Sequence, residues 1–469
     1  MTVVASTFRL LCCLALAAPI AAAAQALTPH QQLARDIYRE LIEINTVTES
    51  GDTQKAAEAM AQRLRSAGFS ANDVQVLVPA PRKGNLVARL RGTGARKPIL
   101  LLAHIDVVEA RREDWTYDPF KLTEEGGYFY ARGSIDDKFM AAAFVTNLIR
   151  YKQEGFVPDR DIIVVLETDE ETGDRRGHGI TWLLKNYRGL IEAEYALNEG
   201  AGVGMRDGKP LRVGIQTSEK VYVSYRLEVK NPGGHSSVPS KDNAIYRLAD
   251  GLARLAKFDF PVKLSETTRA FFERLGKLET GELGADMLAV VAAQPDPAAV
   301  ARLSARANYN AQLRTTCVAT RLDGGHAENA LPQKAEATVN CRVLPGEPVA
   351  EVKNTLARVL ADPQIAIFEI ASPTLSPPSP LNPEITGAIE RLIPQFWPGA
   401  PLIPVMSTGA TDGLFLRNAG IPVYGHSGLA SDINENRAHG KDERALVKSF
   451  YEGNEYLYRL VKMLAKPGS

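Results

Sequence analysis

The chain has little cysteine and no surplus of charge of either sign. Four cysteines stand among 469 residues, and 55 basic and 55 acidic side chains cancel to a formal charge of zero. That balance argues against nucleic acid or an anionic membrane surface as a partner, since both are held by an excess of Lys and Arg. Long hydrophobic runs are scarce too. Beyond the N-terminus no segment reaches about 18 uninterrupted apolar residues, so nothing later in the chain is expected to span a membrane. No internal repeat is evident. With 45% hydrophobic and 23% charged residues the composition is that of an ordinary globular protein, and the length predicts at least two domains with a large core.

One apolar run does occur, at the start. Arg9 precedes "LLCCLALAAPIAAAA", and "AQA" at 24–26 offers small residues for cleavage. The pattern reads as a secretion signal over residues 1–26, in preference to a buried N-terminal helix. Cys12 and Cys13 lack the small residue that a lipoprotein signal needs before its cysteine. The expectation is cleavage near Ala26 and export to an oxidising compartment, the bacterial periplasm. Cys317 and Cys341 then remain, in the strand-like stretches "TTCVATRL" and "EATVNCRVL". Antiparallel pairing of these strands would permit a disulfide; two buried thiols are the alternative.

From about residue 29 to 216 helical and strand patterns alternate. "PHQQLARDIYRELIEI" and "TQKAAEAMAQRLRSAG" have helical spacing, the second with a Gly stop. "GNLVARLRG", "KPILLLAHIDVV", "RDIIVVLETDEE" and the shorter "AEYALNEG" read as strands, and "DKFMAAAFVTNLIRYKQEG" as a helix. This predicts an α/β fold, a layered domain on a mostly parallel sheet. Near residue 219 the texture changes. "KVYVSYRLEVK" alternates like a half-exposed antiparallel strand, a helix spans about 243–257, and "PVAEVKNTLARVLA" and "QIAIFEI" read as helix and strand. A smaller α+β domain is therefore expected over 219–372, inserted between catalytic parts at 27–218 and 373–469. Residues 258–314 read only as mostly helical, and "ASPTLSPPSPLNP" as a linker.

Polar residues gather where strands end, the position of active sites in layered α/β domains. His104 and Asp106 close "ILLLAHID", Asp136 and Asp137 follow "YARGSI", Glu170 and Glu171 close "IIVVLETDEE", and Glu199 closes "YALNEG". His439 comes later, in "NRAHGKDER". Singly, each has a plain structural explanation: a core histidine, a helix cap, a solvated pair. Four strand ends making the same choice point elsewhere. Adjacent carboxylates repel and drift toward neutrality unless a cation sits among them. Carboxylate oxygen and imidazole nitrogen are the usual non-sulfur ligands of zinc. Two histidines, one bridging carboxylate and two terminal ones would hold two divalent ions, leaving one Glu to move protons.

The motifs "LLAHIDVV", "YFYARGSIDDK", "ETDEETG", "ALNEG" and "RAHGKDER" resemble, in order and across nearly the whole mature chain, the aminoacylase and carboxypeptidase family of dinuclear zinc exopeptidases. The resemblance implies that His104, Asp136 and Glu199 bind one metal, and Asp136, Glu171 and His439 the other. It implies two Zn2+ ions, with Co2+ or Mn2+ as alternatives. Glu170 would be the general acid/base, Asp106 would orient His104, and the peptide after Asp136 would be cis. Phe139 departs from the family, which has Gly at that helix start. In the inserted lid or dimerisation domain, His235 of "NPGGHSSVP" would stabilise the oxyanion, often in the partner subunit's site of a homodimer. Asn329 and Arg342, with Gly409 and Thr411 of "STGATDG", would line a pocket for the substrate carboxylate. His30, His178, His326 and His426 fit no ligand position.

The implied activity is metal-dependent hydrolysis of an amide in a small substrate with a free carboxylate, of carboxypeptidase or dipeptidase type. An N-acyl-amino-acid hydrolase is the alternative within that class. An inactive metal-binding scaffold is the alternative outside it, and the retention of all six metal-site residues argues against that.

Overall fold

The structure, a computed structural model, describes residues 26–172, 178–435 and 437–466. The expected secretion signal lies outside them except for Ala26. Eight strands form a central sheet in the order Val74–Ala80, Lys83–Leu90, Ile162–Glu167, Ile99–His104, Tyr195–Arg206, Val423–Asp432, Lys209–Glu219 and Leu402–Ser407. The middle of the sheet is parallel, and the Val74–Ala80 edge is antiparallel. The apolar runs explain themselves here. Ile162, Val164 and Leu166 point into one core and Ile163 and Val165 into another, so both faces are covered. Each such side chain contributes roughly 1.5–3 kcal/mol by leaving water. Helices Pro29–Glu43, Thr53–Ser66, Lys138–Gln153, Pro383–Phe396 and Val447–Ala465 cover the first face, and Gly179–Asn186 and Gly413–Asn418 the second. Helix starts follow local chemistry: Thr28 makes a capping box with Gln31, and Asp52 accepts from Lys55 N.

Phe139 belongs to the first core. It is fully buried, its ring lies 5.7 Å from that of Phe450, and Gly453 leaves room for its tip. The substitution is thus a packing solution between two helices.

Between Glu219 and Leu402 the chain builds a second, antiparallel sheet in the order Thr316–Gly324, Lys334–Val343, Val221–Lys230 and Ala366–Glu369. Helices Ala244–Leu255 and Val349–Leu360 pack on one face, on Val223, Tyr225, Leu227, Val339 and Cys341; the other face is open. Cys317 stands directly opposite Cys341, and the two form a disulfide across Cα atoms 4.1 Å apart. The helices between residues 266 and 313 do not join this unit. They pack on Ile403 and Val405 of the central sheet's outermost strand, covering an edge that would otherwise expose unpaired backbone. Among the described residues no helix is long and apolar enough to cross a membrane.

Candidate functional site

Register brings the first ligand candidates together. Ile99–His104 and Ile162–Glu167 run parallel with His104 opposite Glu167, so His104 and the turn 168–171 reach the same end of the sheet. The three successive acids of that turn take different partners. Asp169, at φ 68°, accepts from Lys83 Nζ at 2.5 Å. The main-chain N–H groups of Glu170 and Glu171 donate to the two oxygens of the buried Asp106 carboxylate, at 3.2 and 3.0 Å. Asp106 thereby aims both glutamates. His104 Nδ1 is held by the carbonyl oxygen of Asp106 at 3.1 Å, with the Asp106 carboxylate farther off at 3.7 Å. That bond keeps a ring proton on Nδ1, so that Nε2 is the nitrogen a metal ion would take.

Nε2 of His104 lies 3.0 Å from Asp136 Oδ1, and Nε2 of His439 lies 3.1 Å from Asp136 Oδ2 and 3.0 Å from Glu171 Oε1. Each imidazole thus faces a different oxygen of one carboxylate, the arrangement of a bridging ligand. Glu199 Oε2 is 4.0 Å from His104 Nε2. His104, Asp136 and Glu171, and likewise His104, Glu170 and Glu199, offer ligand atoms within 4.8 Å of one another. Glu199 does not end its strand as expected; Tyr195–Arg206 runs on past it, with Gly200 at φ 136° beside it, and turns back through Lys209–Glu219.

The electrostatics show what the cluster asks for. Burial, and then the charges of neighbouring carboxylates, push Glu199 and Glu170 well above the usual range. Burial also disfavours the Asp136 carboxylate, but hydrogen bonds to His104 and His439 outweigh it and hold Asp136 low. Bonds to Asp136 and Glu171 lift His439 to about 10. Histidines are drawn toward protonation because carboxylates outnumber cations. A pair of divalent ions on the imidazole nitrogens and carboxylate oxygens would supply that charge, and the donor set fits such ions.

Two supports had no sequence signal. Glu443, fully buried, accepts from Arg132 Nη1 at 2.7 Å, Gly133 N at 3.1 Å and Ile135 N at 2.8 Å. Arg132 Nη2 in turn donates to the carbonyls of His439 and Gly440 at 3.2 and 3.1 Å. This clamp fastens the Asp136 loop, whose peptide to Asp137 is cis, to the His439 loop. The second support is a buried cluster beneath Glu170, two of whose members, His178 and Asp412, edge the same cavity as Glu170. His178, expected only to be structural, lies 2.8 Å through Nε2 from Asp412 Oδ1, with Glu167 beside Asp412. His426 is buried between Gly214 O and the Tyr456 hydroxyl, away from the site.

A cavity of about 920 Å³ opens beside Glu170, between the central sheet and the open face of the second sheet. Val223, Ile370, Pro373, Leu414 and Phe415 give it apolar walls, so the stretch that read as a linker is a wall. Thr411 lines it too, but its hydroxyl donates to Glu219 Oε2 at 2.9 Å; Gly409 is exposed and does not line it. Arg342 stacks 4.7 Å from the Tyr222 ring on the open face and makes no ion pair among the described residues. His235 pairs with Ala330 in a short ladder, beside which Ser236 N donates to Asn329 O at 3.0 Å, but His235 and Asn329 are both exposed and neither lines the cavity. His235 Nδ1 accepts from Ser237 N at 3.1 Å, which leaves the proton on the exposed Nε2.

The sequence model of the peptidase family M20/M25/M40 matches residues 100–463. "Probable carboxypeptidase S-like 2" of Dictyostelium discoideum is 29% identical over 387 residues, covering 79% of this chain and 72% of that protein. The human N-fatty-acyl-amino acid synthase/hydrolase PM20D1 is 28% identical over 379 residues, covering 78% of this chain and 74% of its own length. Among solved structures, the M20 family metallo-carboxypeptidase Sso-CP2 from Sulfolobus solfataricus shares the fold with a TM-score of 0.68 at 18% identity, over 92% of this chain and 99% of that one.

Proposed function

The chain belongs to peptidase family M20/M25/M40 and is a metal-dependent hydrolase of small substrates, and from that premise we propose that it cleaves the amide of N-acyl amino acids carrying a bulky apolar acyl group. The cavity carries this reading. At about 920 Å³ it is near the upper end of ligand pockets, and a dipeptide would leave much of its apolar wall facing water. The name of the human relative, an N-fatty-acyl-amino acid synthase/hydrolase, agrees. A carboxypeptidase or dipeptidase activity is the second reading, favoured by the name of the Dictyostelium relative.

In this reading His104, Asp136 and Glu199 would hold one ion and Asp136, Glu171 and His439 the other, with zinc the ion the donor set suits best. Bound ions would polarise the scissile carbonyl and make a nearby water acidic. Glu170, with its raised proton affinity, takes the proton from the attacking water and returns it to the departing nitrogen. Asp106 keeps Glu170 in place through the N–H groups it accepts. Arg342 clamps the substrate carboxylate. His235 presents Nε2–H to the developing oxyanion from a second copy of the chain, because in its own chain it does not line the cavity. The disulfide-tied edge strand Thr316–Gly324 exposes Val318 and Leu322, which supports pairing of two copies there. The second sheet and its two helices would be the lid inserted within 219–372, and residues 1–26 would direct export to the periplasm.

The deciding experiment measures kcat/KM on N-acyl amino acids of increasing acyl length beside a dipeptide series. A rise of at least tenfold from acetyl to long acyl groups is expected; a preference for unblocked dipeptides would overturn the acyl reading.

A further inference from the structure

Lys220 links the central-sheet strand Lys209–Glu219 to the second-sheet strand Val221–Lys230. It is 1% exposed, yet it lines the same cavity as Glu170. Its Nζ donates to Arg314 O at 2.7 Å and loosely to Thr316 Oγ1 at 3.4 Å. Thr316 stands directly across the ladder from Arg342, and Tyr222, on which Arg342 stacks, flanks Arg342 on the other side. The ammonium thus lies beside Thr316, the ladder partner of Arg342, and Tyr222, on which Arg342 stacks, lines the cavity with Lys220.

Among the described residues neither cation has a carboxylate within ion-pair distance. The acids nearby are committed. Glu219 is buried against Arg417 at 2.6 Å and accepts from Thr411 and Ser376, and Glu347 accepts from Lys263 Nζ at 2.7 Å. A buried ammonium near a half-buried guanidinium without an anion is costly, and burial together with the Arg342 charge pulls Lys220 down to about 7. A structure keeps such a pair where an anion arrives from outside.

We propose that Lys220 and Arg342 together seat the carboxylate of the substrate, Arg342 as a planar clamp and Lys220 as a point charge on the cavity wall. This rests on the reading that the substrate carries a free carboxylate, and it assigns to Lys220 a specificity role that the sequence motifs did not suggest. A lysine that only anchored the Arg314 carbonyl would affect every substrate alike.

The test compares an N-acyl amino acid with its methyl ester on the metal-loaded enzyme. Lys220→Met is expected to raise KM for the acid by roughly 10- to 100-fold, the range of a charged hydrogen bond, with kcat nearly unchanged and the ester unaffected. Lys220→Arg should recover part of the loss. Should the Met variant fail to fold, Lys220→Gln, which keeps a donor for the Arg314 carbonyl, reads the same acid-to-ester ratio. A ratio in either variant equal to that of the parent overturns the role of Lys220 alone. A parent enzyme that takes acid and ester equally overturns the carboxylate reading itself, and Lys220 with it.

Discussion

The strand Ile162–Glu167 leads into two clusters of carboxylates and histidine that contain the same chemical groups. In the first, His104 and His439 face opposite oxygens of Asp136, with Glu171 and Glu199 around them, and the His439 side chain is 55% exposed. In the second, Glu167, His178 and Asp412 are all buried, His178 is paired with Asp412 at 2.8 Å, and burial followed by the Asp412 charge pushes Glu167 far above its ordinary range. There one imidazole serves one carboxylate, and burial keeps a proton on the remaining carboxyl. The first holds more carboxylates than its two imidazoles can serve, and its His439 faces solvent. A metal site is therefore defined by unmet charge and access as much as by donor type, since both clusters offer a histidine and two carboxylates within 4.8 Å.

The sharpest way to break this contrast is to remove the proton carrier while leaving the ligands. Glu170→Gln should lower kcat by about 10²- to 10⁴-fold, the usual contribution of a general acid/base, while metal analysis still finds the parent's ion content. Next, Asp136→Asn should strip the first cluster of metal, whereas Asp412→Asn in the second should leave the ion content unchanged. Equal loss in both variants would erase the distinction. Breaking the clamp behind the first cluster is a stability experiment. Glu443→Gln leaves the buried Arg132 unpaired and should cost about 3–5 kcal/mol in denaturant unfolding.

The smallest effect concerns Glu167. Its folded pKa is raised, so the native state holds a proton that the unfolded chain releases above its ordinary 4.5, and stability from this group is lost as pH rises. Glu167→Gln removes that loss. The variant should match the parent to within about 1 kcal/mol near pH 4, where a neutral hydrogen bond is the difference, and gain on it steadily toward pH 7. An advantage that shrinks as pH rises would mean that Glu167 is ionised in the folded protein.

Much of this was legible along the chain. The runs "ILLLAH" and "IIVVLE" are buried at every position and apolar up to their last residue because both faces of their strands are covered, and "KVYVSYRLEVK" alternates because only one face of the second sheet is. The residues that meet at the sheet end could be named because strand ends aim side chains at a shared edge. Glu443 and Lys220 were not legible, since one acts through main-chain N–H groups and the other through a carbonyl, and such contacts leave no spacing pattern. The helices of 266–313 read correctly as helices, yet nothing in their periodicity said that they would cover the edge strand Leu402–Ser407.

The sequence by itself determined which groups were available: the order of the acids and histidines, the buried strands, and two cysteines able to pair or remain free. Tertiary structure alone decided that the cysteines stand opposite and bond, that Thr411 is tied to Glu219, and that Lys220 reaches Thr316 across from Arg342. The reason is physical. Periodicity along a chain records which side of an element faces water, whereas charge compensation depends on distances between residues hundreds of positions apart, which only the packed fold sets.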